Sequence, residues 1–129
     1  MDKHLQQEGE AVRRKVLGDV YVDRALNNAD EFSRPFQDVL NEYCWGAVWT
    51  DEALDLKQRS LLNLGMLAAA GRMHEFGVHF RGAVRNGLTE AELRAALIQI
   101  AVYCGIPAGV ECFRVAQTIR NEMKAEQRP

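Results

Sequence analysis

The chain has 129 residues, with 16 lysines and arginines against 18 aspartates and glutamates and a formal net charge of −2. That length favours one domain, residues 1–129, with a real core, and the charge balance excludes a general polyanion-binding surface, so no nucleic-acid partner is expected. No apolar run approaches the ~20 residues that span a membrane, and the opening MDKHLQQEGEAVRRK lacks an apolar leader, so a cytoplasmic protein without a membrane partner is expected.

Nearly every periodic segment reads as helix, and strand-like alternation never lasts more than a few residues. DKHLQQEGEAVRRKVLGD is polar and helical and is stopped by Gly18. A short turn or helix around Val22 to Asn28 leads to DEFSRPFQDVLNEYCWG, a helix starting near Asp30 or Ser33 and ending at Gly46. Pro35 fits only its first turn. AVWTDEALD is a connection, and Asp55 can cap LKQRSLLNLGMLAAAG. That helix is apolar nearly all round from Leu61 to Ala70, so it is expected at the centre, buried on every side.

Gly71 permits a break, and the next helix runs from about Arg72 to Asn86, where Asn86-Gly87 is a strong stop. TEAE, Thr89 to Glu92, is a capping box opening a helix that ends at Gly105. Pro107 suits the first turn of the last helix, and the tail QRP is expected to fray. The pattern predicts an all-α bundle of about six helices.

The Arg72–Asn86 helix carries His74, Glu75 and His79. Zinc-protease helices place two histidines at i, i+4; here they are five apart and point about 140° away from each other. They cannot share a metal from one regular helix, so no metal is expected. Arg72, Glu75 and His79, at i, i+3, i+7, project together beside a core stripe of Met73, Phe76, Phe80 and Val84. His74, Arg81 and Arg85 point elsewhere, to solvent or a partner subunit. A Glu one turn from a His can fix its tautomer and keep it protonated. The face therefore reads either as a catalytic acid/base pair with a fixed cation, or as an ordinary salt-bridged surface.

Two further clusters stand out. Trp45 and Trp49, the chain's only tryptophans, flank Gly46; they read as core or interface packing, or as an aromatic wall over a small-molecule pocket. Lys57 and Arg59 at the start of the apolar helix are solvated charge, or added positive potential for an anion. Cys44, Cys104 and Cys112 are far apart and odd in number. They read as reduced thiols in helices rather than a disulfide framework or Cys-rich metal site.

Together, EYCWGAVW, LDLKQRSLLNLGMLAAAGRMHEFGVHFRGAVRNGLTEAELRAALIQIAVYCGIPAG and CFRVA resemble the carboxymuconolactone decarboxylase family, over about residues 28–123. The resemblance implies a helical fold of the alkylhydroperoxidase D-like type that builds homo-oligomers, commonly hexamers made as trimers of dimers. It implies two branches. One decarboxylates 4-carboxymuconolactone, a small anionic lactone of protocatechuate catabolism in the β-ketoadipate pathway, without a cofactor. The other is a thiol peroxidase with C-x-x-C-x-x-x-H. Anchored on His79, that motif would put cysteines at Arg72 and Glu75, so the redox chemistry is not kept. The expected enzyme is thus a carboxy-lyase. His79 is its proton donor, held by Glu75, Arg72 is a carboxylate clamp or oxyanion donor, and Trp45, Trp49, Lys57 and Arg59 bind substrate. A related enzyme on another small anionic substrate, or a peroxidase or disulfide reductase, is the alternative. The chain departs from the usual decarboxylase pattern at TDEALD, where Pro-Gly commonly precedes Leu-Asp, and a loop that shapes the pocket bears on substrate identity.

Overall fold

The structure is a computed structural model, and residues 1–127 are described. Among them are seven α-helices, α1 (Lys3–Leu17), α2 (Asp19–Asn27), α3 (Arg34–Val39), α4 (Leu56–Ala70), α5 (Met73–Arg85), α6 (Glu90–Cys104) and α7 (Ile106–Glu126). A π-helical segment, Leu40–Val48, follows α3, and no strand occurs among the described residues. Of the tail QRP, Gln127 caps α7, while residues 128–129 lie outside the described residues. None of these helices is long and apolar enough to cross a membrane. The chain divides into two compact units, Met1–Leu56 and Lys57–Pro129.

In the first unit α1 packs along the π-helical segment. The contact is close because Gly9 has no side chain: a Cβ there would lie 1.8 Å from the Asn41 carbonyl oxygen and 2.6 Å from the Gly46 nitrogen. The expected α-helix through Gly46 is instead an α-helix to Val39 and a wider i→i+5 coil to Val48, closed by Trp49 N–H on the Cys44 carbonyl at 3.2 Å. Such coils are rare and usually a single turn. Arg13 is buried against the same segment, where its Nη1 donates to Gln37 Oε1 at 2.9 Å and Asn41 Oδ1 at 3.1 Å. Burial lowers its pKa, opposed by Tyr21, Cys44 and Glu10. Glu42, also buried, accepts the Asp2 backbone N–H at 2.6 Å.

The second unit has one apolar core. Phe76, Phe80 and Ala83 from α5, Leu64 and Ala68 from α4, Leu93, Leu97 and Ile100 from α6, and Cys112 and Ala116 from α7 build it. The expected α5 stripe is present: Phe76 and Phe80 are buried, and Met73 and Val84 pack at their edge. Helices α6 and α7 approach until a Cβ on Gly109 would lie 2.4 Å from the Ala101 Cβ.

The expectation that α4 is buried on every side does not hold within this chain. Only an i, i+4 stripe with its neighbour, Ser60, Leu64, Ala68 and Arg59, is buried, while Leu61, Leu62 and Met66 are exposed. A helix packed by one face presents one stripe to the core.

Helix ends follow the expected signals. Gly71 is left-handed at φ +72, and the pair Gly71 N–H to Ala68 O and Arg72 N–H to Leu67 O closes α4. Gly87, at φ +95, ends α5 the same way through Val84 O and Ala83 O. Thr89 and Glu92 form the reciprocal capping box of α6, with Thr89 N–H to Glu92 Oε1 at 2.8 Å and Glu92 N–H to Thr89 Oγ1 at 3.1 Å.

Candidate active site

The start of α5 is set by the turn that ends α4. Arg72 N–H closes α4, and the Arg72 carbonyl accepts Phe76 N–H at 2.9 Å, so this one residue ends one helix and caps the next. Glu75 follows in the first turn of α5, where a carboxylate is favoured by the helix dipole. His79 lies one turn further. Arg72 and Glu75 are exposed and His79 is half-buried.

His79 has a partner that periodicity did not single out. Asn63 on α4 places its side-chain Nδ2 3.4 Å from His79 Nδ1. Asn63 is a lone amide within the apolar run LLNLGM, and that contrast was its sequence signal. Burial pushes His79 down to about 4, and the nearby Glu75 carboxylate opposes this only in part. The expectation that Glu75 keeps the ring protonated is therefore corrected. At neutral pH the imidazole of the unliganded chain is neutral, because loss of water outweighs one exposed carboxylate.

The remaining α5 charges divide. His74 is exposed. Arg81, expected to face solvent or another subunit, instead crosses to α7, pairing with Glu122 at 2.8 Å and Glu126 at 2.6 Å. Lys57 is exposed and reaches the α5–α6 turn: its Cε lies 3.2 Å from where a Gly87 Cβ would stand, and its charge helps hold the Glu92 carboxyl below its ordinary range, after the Thr89 hydrogen bonds. Arg59, two residues on, is buried rather than solvated.

Trp45 and Trp49 are both buried, on the π-helical segment and at its end. Their rings stack at a centroid distance of 4.7 Å and 30° between planes. Thr50 Oγ1 donates to the Gly46 carbonyl beside them.

Among the cysteines, burial raises the Cys44 thiol, partly offset by Arg13, and raises buried Cys112 to about 11. Thiol peroxidases work through thiolates of lowered pKa; these two thiols are held the other way. Cys104 is exposed.

Helical throughout its described residues, apart from turns and connections, the chain is placed among decarboxylases by its relatives. A nitrosuccinic acid decarboxylase of Metarhizium robertsii is 46% identical over 123 residues, 95% of this chain and 86% of the relative. A 4-carboxymuconolactone decarboxylase of Acinetobacter baylyi is 32% identical over 122 residues, 95% of this chain and 91% of the relative. The chain belongs to the carboxymuconolactone decarboxylase family, whose profile matches residues 34–118. It is an enzyme of the carboxy-lyase class.

Proposed function

We propose that the enzyme decarboxylates a small dicarboxylate in which the departing carboxylate sits on a carbon attached to an electron sink, with nitrosuccinate as the first candidate. The observation that carries the choice is the 46% identity, over 95% of the chain, to a nitrosuccinic acid decarboxylase. The departure at TDEALD from the usual lactone-decarboxylase pattern fits a changed substrate. The second reading is 4-carboxymuconolactone, favoured by the 32% identical relative.

Both substrates ask for the same chemistry. In nitrosuccinate the C–C bond to the carboxylate beside the nitro group breaks, and its electron pair passes onto the nitro oxygens. Carbon dioxide and a nitronate result, and protonation at carbon gives 3-nitropropanoate. In the lactone the pair passes through the ring alkene onto the carbonyl. The substrate is its own sink, so the reaction is written without a cofactor. The protein holds two carboxylates, stabilises oxygen charge and delivers one proton.

Arg72 is the proposed clamp or oxyanion donor. Asn63 donates to His79 Nδ1, leaving the proton of the neutral ring on Nε2. A bound dianion favours the charged imidazole, so a proton from solvent is taken up at Nδ1 as the substrate binds, Asn63 turns its Oδ1 to accept it, and His79 then delivers its Nε2 proton to carbon. Glu75 favours that charged form. Trp45, Trp49, Lys57 and Arg59 remain proposed substrate-binding residues, and a cytoplasmic homo-oligomer, a hexamer as trimer of dimers, the proposed assembly.

The test is carbon dioxide release from each substrate by folded variants. His79→Gln should lower kcat about 10²–10⁴-fold, His74→Ala should change it little, and Arg72→Ala should raise KM. Equal rates for the two histidine variants would sink the site, and no release from either acid would sink the substrate class.

A further inference from the structure

The second unit contains a cavity of about 430 Å³ between α5, α6 and α7, and none of Arg72, Glu75 and His79 lines it. Phe80, Leu93, Leu97 and Ala116 form an apolar floor, each 5% exposed or less. The rim is cationic. Arg120 is already engaged, by Glu90 and by Gln117 Oε1 at 2.9 Å. Arg94 and Lys124 also line the opening, and neither has an ion-pair partner among the described residues.

We propose that this cavity is a second binding site, for a small amphipathic monocarboxylate whose apolar chain lies on the floor and whose carboxylate meets Arg94 and Lys124. The volume falls within the range of small-molecule sites, roughly 300–1,000 Å³, which combine apolar walls with a few convergent polar groups. An apolar floor alone would accept any greasy body. Two cations without a counter-charge at the mouth select an anionic head, and Glu90 does not cancel them because it is committed to Arg120. The class follows from charge and shape and is independent of the chemistry proposed for the Glu75–His79 face.

Calorimetric titration of the full chain with hexanoate, octanoate and decanoate tests this. Each methylene moved from water to the floor should tighten binding about fourfold until the cavity is full. Decanol, equally apolar but neutral, should bind about 10-fold more weakly or worse, and the Arg94→Glu/Lys124→Glu double variant should lose decanoate to the same degree. Equal affinity for decanol and decanoate in the unmodified chain overturns the proposal whether or not the variant folds. So does an unchanged decanoate affinity in a folded variant. A fall in the light-scattering mass of the double variant would make the cleft a contact between copies of the chain and would equally overturn it.

Discussion

His79 shows how far one side chain's environment decides its chemistry. Its folded pKa of about 4 lies below the ordinary imidazole value of 6.5. The unfolded chain therefore binds more protons than the folded one between those values. This contribution to stability is complete above pH 6.5 and is lost as pH falls towards 4. It amounts to at most roughly 3 kcal/mol, less for a ring that keeps some solvent. Urea midpoints at pH 7.5 and 4.5 should fall further for the native chain than for His79→Gln; equal falls would contradict the assignment. Asn63 supplies a second test. Asn63→Asp puts a carboxylate beside Nδ1, which should raise the His79 pKa by about 1–2 units in an NMR titration of the ring. An unmoved titration would remove Asn63 from the site. The helix that carries Glu75 and His79 was legible from the sequence, though Arg72, read as its first residue, stands as the non-helical cap before it. The protonation state was not, because burial of the ring depends on α4, which periodicity leaves at an unknown distance.

At the scale of elements, helix ends were the most legible feature, since each is written locally: Gly71, Asn86-Gly87, the Thr89–Glu92 box and Gly105 all terminate or start helices as read. What was not legible depends on a partner. The π-helical segment meets α1 at Gly9, a contact made by residues more than thirty positions apart. Likewise α4 looked uniformly apolar, and only the packing chose which stripe to cover. Two glycine substitutions separate local propensity from contact. Gly9→Ala should lower stability by about 3 kcal/mol or more, since overpacking against backbone outweighs a helix-propensity gain of about 1 kcal/mol. Gly65→Ala on α4, where nothing lies within 4 Å of the new Cβ, should stabilise by about 0.5–1 kcal/mol. Chemical denaturation of both variants checks the pair, and a Gly9→Ala protein as stable as the native chain would refute the close approach.

For the whole molecule, the distribution of exposed apolar surface is the informative quantity. At the α6–α7 corner Val102 is 72%, Tyr103 83%, Ile106 69% and Val110 63% exposed, and α4 adds Leu62 and Met66. Clustered exposed apolar side chains mark association sites, and the sequence-adjacent group at the α6–α7 corner supports the proposed self-assembly. Multi-angle light scattering at micromolar concentration should report a multiple of 14.5 kDa, and Val102→Lys with Ile106→Lys should reduce it. A monomeric native chain would refute the proposal. Family membership was readable from the ordered block HFRGAVRNGLTEAEL to AVYCGIPAG. Substrate identity was not, because nitro and lactone sinks ask the same residue types of the protein.

The pairing of α1 with the π-helical segment also sets an order of events during synthesis. The Asp2 and Arg13 contacts join residues 40 and 28 positions apart, to Glu42 and Asn41. A 15-residue helix alone is marginal in water. At ~5–20 residues per second of translation, the stretch between α1 and the π-helical segment makes α1 leave the ribosome seconds before its partner does. Because the ribosomal tunnel encloses the newest stretch of chain, slow codons downstream of Trp49 would prolong that interval, whereas slow codons between Gly18 and Asn41 are read while α1 is still enclosed and would leave it unchanged.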